Sequence, residues 1–243
     1  MGQPHGTGSQ GVLSVVIPAL NEERTVAATV RQVPFERLRE MGLDIEIMVV
    51  DNASSDRTGE EARSAGATVI VEARRGYGNA YIAGFRAARG NLIVMADADG
   101  TYPLEEIPSL ITPLLERRAD LVTGSRLRGH LLPGAMPPLH RYVGVPLLTW
   151  TLNLLFGLRI SDAHCGMRAV TRSALDRMGL RSEGMELASE MLVAAGLTGA
   201  RVMEIPIEYR PRPGAPSKLR SFRDGWRHLR YLILQKLTLL RWR

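Results

Sequence analysis

Gly90-Asn-Leu-Ile-Val-Met-Ala-Asp97-Ala-Asp99-Gly100-Thr-Tyr-Pro103 is the stretch whose reading decides the fold. An apolar run over residues 92–96 stops abruptly at two carboxylates spaced i, i+2, then turns through Gly100. A short apolar run bounded by turn chemistry predicts a buried strand, of the kind found in parallel sheets. The carboxyl ends of such strands line the ligand crevice of open α/β sheets. Two carboxylates there, beside a glycine that lets a ligand come close, suit a hard divalent cation shared with a diphosphate. Taken alone, the same residues also read as an Asx-rich turn closing a strand.

Working outward, residues 12–18 (Val-Leu-Ser-Val-Val-Ile-Pro) form a β-branched run ended by proline, a second buried strand. Asn21-Glu22-Glu23 then leads into a helix from about Thr25, with acidic groups expected in its first turn. Residues 45–50 are a strand ending at Asp51-Asn-Ala-Ser-Ser-Asp-Arg-Thr, and residues 68–71 a short one. Arg74-Arg-Gly76-Tyr-Gly78-Asn-Ala80 is a glycine turn opening a helix to about Arg89. Successive βαβ units predict a doubly wound, predominantly parallel sheet with right-handed crossovers.

Beyond the opening stretch come a helix over 105–117, a strand over 120–123 ending at Gly124-Ser125-Arg126, and a Pro/Gly-rich loop over 127–138. Residues 142–158 carry no charge, but Gly144, Pro146 and Asn153 interrupt them. They read as helices packed on the sheet or lying in an interface rather than spanning a bilayer. Ser161-Asp-Ala-His-Cys-Gly-Met-Arg168 runs into a short strand, a helix opens at Gly184, and residues 202–209 form the last strand. The Pro/Gly-rich loop 210–218 has the composition of a segment that closes over a ligand. Phe222, Trp226, Leu229, Ile233, Leu237 and Leu240 then recur at helical spacing among arginines. The expected organisation is a disordered tail over 1–11, a catalytic domain over 12–220 and a basic amphipathic helix over 221–243.

The chain has 243 residues, 45% of them apolar, a composition for one globular α/β core. Aromatic residues, at 5%, are too few to supply stacking platforms, so nucleic acid is not the expected partner. The lone Cys165 reads as a buried thiol in a reducing compartment. No secretory signal is apparent at the start of the chain. The net charge of +6 resides in the C-terminal segment, which from Arg201 holds 11 Lys/Arg against 3 Asp/Glu. Such a segment suits an anionic membrane surface, although a solvated basic helix has the same composition.

Asn21-Glu22, Asp51 and Asp97/Asp99 thus fall at the ends of successive strands, where one crevice gathers them. No dinucleotide-binding or P-loop glycine signature is present. The motifs Ile17-Pro-Ala-Leu-Asn21-Glu22, Val49-Val-Asp51-Asn-Ala-Ser-Ser-Asp56, Gly76-Tyr-Gly78-Asn-Ala80, Asp97-Ala-Asp99-Gly, Gly124-Ser-Arg126 and Asp162-Ala-His-Cys-Gly166-Met-Arg168 occur in this order. The chain resembles family 2 glycosyltransferases of the GT-A fold, within the dolichyl/polyprenyl-phosphate hexosyltransferase group.

That resemblance implies inverting transfer of a hexose from GDP-mannose or UDP-glucose to a polyprenyl phosphate, at the cytoplasmic face of the cell membrane. It implies that Pro18, Ala19, Glu22, Asp51 and Gly78 contact the nucleotide sugar. Asp97 and Asp99 would bind Mg²⁺ or Mn²⁺, with Asp99 a catalytic residue, while Thr101 stands where relatives often carry an amide ligand. Arg126, Arg141 and Arg168 would grip the acceptor phosphate, and Arg212 (or Arg210) with Lys218 the diphosphate. A phosphate acceptor needs no general base. A soluble hydroxyl acceptor, the alternative within the same fold, needs one, for which Asp162 and Glu186 are the candidates. With a phosphate, Asp162 orients Arg126 or Arg168, and His164 is structural. A scaffold that has lost activity is a third reading. Oligomeric state, a homo-oligomer included, and continuation into transmembrane helices stay open.

Overall fold

The computed structural model of the chain describes residues 11–213 and the helix 221–241, the latter with side chains over 225–239. Of the expected tail over 1–11, Gly11 instead begins the first strand and residues 1–10 lie outside the described residues, as do Lys218 and the side chains of Phe222, Arg223 and Leu240. The strands are β1 (Gly11–Ala19), β2 (Leu43–Asp51), β3 (Thr68–Val71), β4 (Leu92–Met95), β5 (Leu121–Ser125), β6 (Arg168–Thr171) and β7 (Val202–Pro206). The α-helices are α1 (Val26–Arg31), α2 (Phe35–Glu40), α3 (Thr58–Ser64), α4 (Tyr77–Ala87), α5 (Ile107–Leu115), α6 (Val145–Phe156), α7 (Arg172–Met178), α8 (Leu187–Leu197) and α9 (Ser221–Arg241).

One sheet of order β3-β2-β1-β4-β6-β5-β7 runs through the middle. Its strands send alternate side chains to opposite faces, so each apolar run feeds two layers. On β1, Leu13, Val15, Ile17 and Ala19 enter a layer shared with α1, α2, α3 and α5. Val16 enters the other layer, against α4, α6, α7, α8 and α9. Both faces being covered, the strands read as continuous apolar runs, which is why their positions were legible. The α/β class and the mostly parallel sheet are as expected.

Strand polarity differs in one place. β6 lies antiparallel between β4 and β5, pairing Met95 with Arg168 and Thr123 with Arg168. The loop before β6 therefore arrives at the edge where β4 and β5 end, bringing residues 161–167 beside Asp97 and Arg126. Two further differences are small. Glu22 and Glu23 precede α1 instead of occupying its first turn, and the brief α2 and α7 were not predicted. The uncharged segment 142–158 forms one helix, α6, preceded by a π turn over His140–Gly144.

The loops after β1 and β2 are tied to each other. Asn21 N–H donates to Ser54 Oγ at 3.0 Å, Ser55 N–H to Asn21 Oδ1 at 2.8 Å, and Glu22 N–H to Thr58 Oγ1 at 2.8 Å. Asn52 continues the chain of contacts, donating to Glu72 and Arg74 carbonyls and accepting from Gly76 N–H at 2.7 Å. α4 sits directly on the sheet because Gly84 has no side chain. A Cβ there would stand 2.4 Å from Val16 Cγ1 and 3.0 Å from Val50 Cγ2. Both neighbours are β-branched and cannot rotate away. Gly84→Ala is expected to lower unfolding free energy by about 1–3 kcal/mol, read from the midpoint of urea denaturation at unchanged slope.

Candidate active site

A cleft of about 540 Å³ opens at the carboxyl edge of the sheet. Pro18, Ala19 and Glu22 from the end of β1, Asp97 and Asp99 from the end of β4, and Arg126 from the end of β5 all line it. His164 and Gly166 come from the loop before β6, and His228 from α9.

Asp97 is the electrostatic centre. Burial and the neighbouring Asp99 push its carboxyl up to about 7, against the opposing charge of Arg126. Gly166 makes room for it, since a Cβ there would stand 2.5 Å from Asp97 Oδ2. Asp99 is held by Thr101, whose N–H and Oγ donate to its Oδ1 at 3.1 and 2.7 Å. Gly100 between them has φ +74, the left-handed region where glycine is at ease. Thr101 thus acts on Asp99 in the structure. Arg212 stands between the acids, its Nη2 paired with Glu22 Oε1 and its Nη1 3.9 Å from Asp99 Oδ2. Its buried Nε has no hydrogen-bond partner among the described residues.

These residues fit a divalent cation. The donors are hard carboxylate oxygens, and their mutual repulsion is what a cation would relieve. Among the described residues no group of three or more His, Cys, Asp or Glu forms a metal cage. That donor set suits an ion completing its shell with phosphate oxygens and water.

Arg126 is buried, and its guanidinium grips Asp162 with both prongs, Nε to Oδ2 at 2.7 Å and Nη2 to Oδ1 at 2.8 Å. Asp162 also accepts the backbone N–H of Arg126 at 3.1 Å and of His164 at 3.2 Å. Burial works to raise the Asp162 carboxyl, but Arg126 and these hydrogen bonds more than offset it and hold it below the ordinary value. With its oxygens committed to four N–H donors, Asp162 positions Arg126. Behind it, Glu204 accepts from Ser161 and Asp162 N–H, both at 2.9 Å.

Other candidates sit elsewhere. Arg168 does not reach the cleft, which corrects its assignment to the acceptor phosphate. It is buried and donates to the carbonyls of Cys165, Ala188 and Ala163 at 3.0, 2.7 and 2.8 Å, fastening α8 to the loop before β6. Gly78 likewise is not among the residues lining the cleft and packs on the backbone of Ser182, where a Cβ would stand 1.9 Å from the Ser182 carbonyl oxygen. Gly76 is the glycine that faces the cleft. Asp51 Oδ1 closes its own turn by accepting Ser54 N–H at 3.0 Å, and the adjacent Asn52 lines the cleft instead. Glu186 pairs with Arg227 of α9 at 2.9 Å, and its buried Oε2 has no hydrogen-bond partner among the described residues. Arg141 is exposed, with its guanidinium over the Tyr142 ring. Arg210 pairs with Glu208 at 2.6 Å, so Arg212 is the arginine that enters the cleft.

One wall of the cleft is apolar and continues onto the surface. Val145 and Leu148 of α6 line it, while Leu147, Trp150 and Leu154 of the same helix are exposed. Helix α9 packs against α6 through Leu232 and through Lys236 Nζ, which donates to Leu155 O at 2.6 Å. It turns Trp226, Ile233, Leu234 and Leu237 outward. No helix among the described residues is long and apolar enough to cross a membrane.

The chain resembles several known proteins. It is 47% identical over 222 residues to the low-salt glycan biosynthesis hexosyltransferase Agl6 of Haloferax volcanii, matching 91% of this chain and 53% of Agl6. The chain thus spans about half the length of that relative. It is 34% identical to a dolichyl-phosphate hexose transferase of the same organism, over 88% of this chain and 89% of the relative. Among solved structures, glucosyl-3-phosphoglycerate synthase from Mycobacterium tuberculosis superposes with a TM-score of 0.72 at 25% identity, covering 95% of this chain and 81% of that one. That structure was solved with Mn²⁺, UDP and glucosyl-3-phosphoglycerate. A model of the family described as Glycosyl transferase family 2 matches residues 14–179, a span holding both cleft carboxylates and the Arg126–Asp162 pair, and by that match and these relatives the chain belongs to glycosyl transferase family 2.

Proposed function

We propose that this chain transfers a hexose from a nucleoside diphosphate sugar, GDP-mannose or UDP-glucose, to the phosphate of a polyprenyl lipid, with inversion at the anomeric carbon. The observation that carries this reading is the buried Arg126, held flat by Asp162 and sharing one cleft with Asp97 and Asp99. A planar guanidinium fixed in this way is suited to phosphate oxygens. The relative named as a dolichyl-phosphate hexose transferase supports the acceptor class. The alternative, a hydroxyl acceptor, needs a general base. Asp162 is committed to four donors and Glu186 to Arg227, which favours an acceptor that is already anionic.

In this reading Pro18, Ala19 and Glu22, with Asn52 beside them, hold the nucleoside, and Asp97 and Asp99 would hold Mg²⁺ or Mn²⁺. The bound cation supplies charge that offsets the departing diphosphate. Arg212, released from the acids, turns its guanidinium to the same diphosphate, with Lys218 as a second cation. An acceptor oxygen bonds to the anomeric carbon as the bond from that carbon to the β-phosphate oxygen breaks, the electron pair leaving with the diphosphate. The monoester dianion becomes a monoanionic diester and the nucleoside diphosphate carries off the extra charge, so no proton has to move. Positioning and charge then suffice for catalysis.

The outward faces of α6 and α9 would rest on an anionic bilayer. Trp150, Leu154 and Trp226 would enter the interface, and the exposed Arg230 of α9 would face the headgroups. In this reading the chain sits peripherally at the cytoplasmic face of the membrane, beside the lipid acceptor.

Four outcomes are expected. Purified protein given labelled GDP-mannose or UDP-glucose with Mn²⁺ should label a polyprenyl phosphate in micelles; label appearing only in soluble hydroxyl acceptors would overturn the lipid assignment. Arg126→Lys keeps the charge but loses the fork, and should lower kcat/KM for the acceptor about ten- to a hundredfold while donor-induced thermal shifts persist. Because the Asp97 carboxyl lies at about 7 and not at its ordinary 3.8, its protonated form favours folding. That contribution is complete at acid pH and is lost as pH rises through about 7. A cation needs the deprotonated form, so its affinity should rise over the same interval and level off above it. Calorimetry of Mn²⁺ binding in buffers of different ionisation enthalpy should show nearly one proton released at about pH 6 and almost none at about pH 8.5, with Asp97→Asn abolishing the release. Finally, Trp150→Glu with Trp226→Glu should remove cosedimentation with vesicles rich in phosphatidylglycerol without lowering Tm.

A further inference from the structure

Helix α9 reaches the cleft through one polar residue. His228 is buried, with its Nδ1 2.8 Å from Ser189 Oγ, and the same hydroxyl lies 3.3 Å from His164 Nε2. The two imidazoles meet edge to face, with centroids 4.3 Å apart and planes at 81°. Ser189 has one proton to give, so at most one ring accepts from it and at least one ring donates to it. Both rings line the cleft together with Arg126. Asp162 Oδ1 links Arg126 to the backbone of His164, taking Arg126 Nη2–H at 2.8 Å and the His164 backbone N–H at 3.2 Å. His164 Nδ1 is shielded from solvent and has no hydrogen-bond partner among the described residues. Nothing in the donor half of the reaction uses this cluster.

The surroundings are charged but balanced. Arg126 is matched by Asp162 and Arg227 by Glu186, while Arg168 is spent on carbonyls. His140 of the π turn also lines the cleft. Burial first, then His228, Arg126 and Arg168, hold the His164 imidazole well below its ordinary range, so it is neutral around pH 7. An arriving phosphate would reverse that balance, since a nearby anion favours the protonated ring.

On the reading that the acceptor is a phosphate, we propose that His164 and His228 are acceptor-binding residues, placing imidazole N–H groups beside Arg126 around the phosphate monoester, with the C-terminal helix supplying half of the pair. The pair takes up a proton as the monoester dianion arrives. The transfer leaves a monoanionic diester, for which the added proton is worth less. The same pair therefore discriminates acceptor from product and eases product release. The shared chemistry is the phosphate monoester, whether on a prenyl lipid or on a soluble molecule.

Full-length wild type, His164→Gln and His228→Gln would be titrated with a short-chain prenyl monophosphate and with phenyl phosphate at about pH 6.5, by calorimetry in two buffers of different ionisation enthalpy. Glutamine keeps a hydrogen bond to Ser189 and does not titrate. Wild type should take up a proton on binding, and each variant should lose that uptake. The variants should raise acceptor KM about tenfold, with donor KM and Tm unchanged. Stronger binding of the prenyl compound marks a lipid source, and equal binding marks recognition of phosphate alone; both support the site. Binding to wild type without proton uptake would overturn it, with no variant needed. So would an unchanged acceptor KM in the variants, or a joint rise in donor and acceptor KM with lowered Tm, which marks packing. If wild type binds prenyl phosphate with proton uptake yet transfers no sugar to it, the proposed function fails while this inference stands. If it transfers sugar and the variants bind acceptor as wild type does, the inference alone fails.

Discussion

The pairing of Arg126 with Asp162 is the interaction on which the cleft depends. A guanidinium taken out of water costs several kcal/mol unless a partner and hydrogen bonds answer it. Here Asp162 answers it bidentately and is itself fixed by backbone N–H groups and, through its own N–H, by Glu204. The pair joins the end of β5 to the loop before β6. The antiparallel insertion of β6 is what delivers that loop to the carboxyl edge. Were β6 parallel to its neighbours, the loop before it would lie at the opposite edge, and Asp162 could not meet Arg126.

The cleft thus contains two kinds of electrostatic frustration. Around Asp97 and Asp99 negative charge is in excess, and Arg212 partly compensates by standing between Glu22 and Asp99. Around Arg126 the positive charge is balanced, and the His164 imidazole nearby is kept neutral. On the proposed function a cation would relieve the first region and a phosphate would change the second, so each would answer a charge that the protein does not itself supply. Both regions share one cleft, so the proposed transfer would bring its two charged ligands within range of each other.

Much of this was legible in the sequence, for definite reasons. β1, β2 and β4 announce themselves as apolar runs because both faces of the sheet are covered there, and the residues ending them fall at one edge by winding alone. The polarity of β6 was not legible: four residues, Arg-Ala-Val-Thr, carry no mark of direction. For the same reason Arg168 was read as a phosphate ligand, since its three carbonyl partners come from chain segments that meet only in the fold. Glu186 is spent on Arg227, a partner far along the chain. His228 was missed because the apolar stripe through Trp226 and Ile233 drew attention, whereas the face that packs inward is the one carrying His228 and Leu232. A histidine four residues before a leucine on one helical face was the available signal.

Cys165 is the only cysteine of the chain, and it is fully buried with its thiol pushed up to about 12 by burial. Alkylating and oxidising reagents act on thiolates, and this one supplies almost none near neutral pH. For chemical labelling this chain therefore behaves as if it had no cysteine. A single thiol introduced on the outward face of α9 would be the sole reactive handle, and a spin label or fluorophore attached there would report the helix's surroundings without altering the cleft.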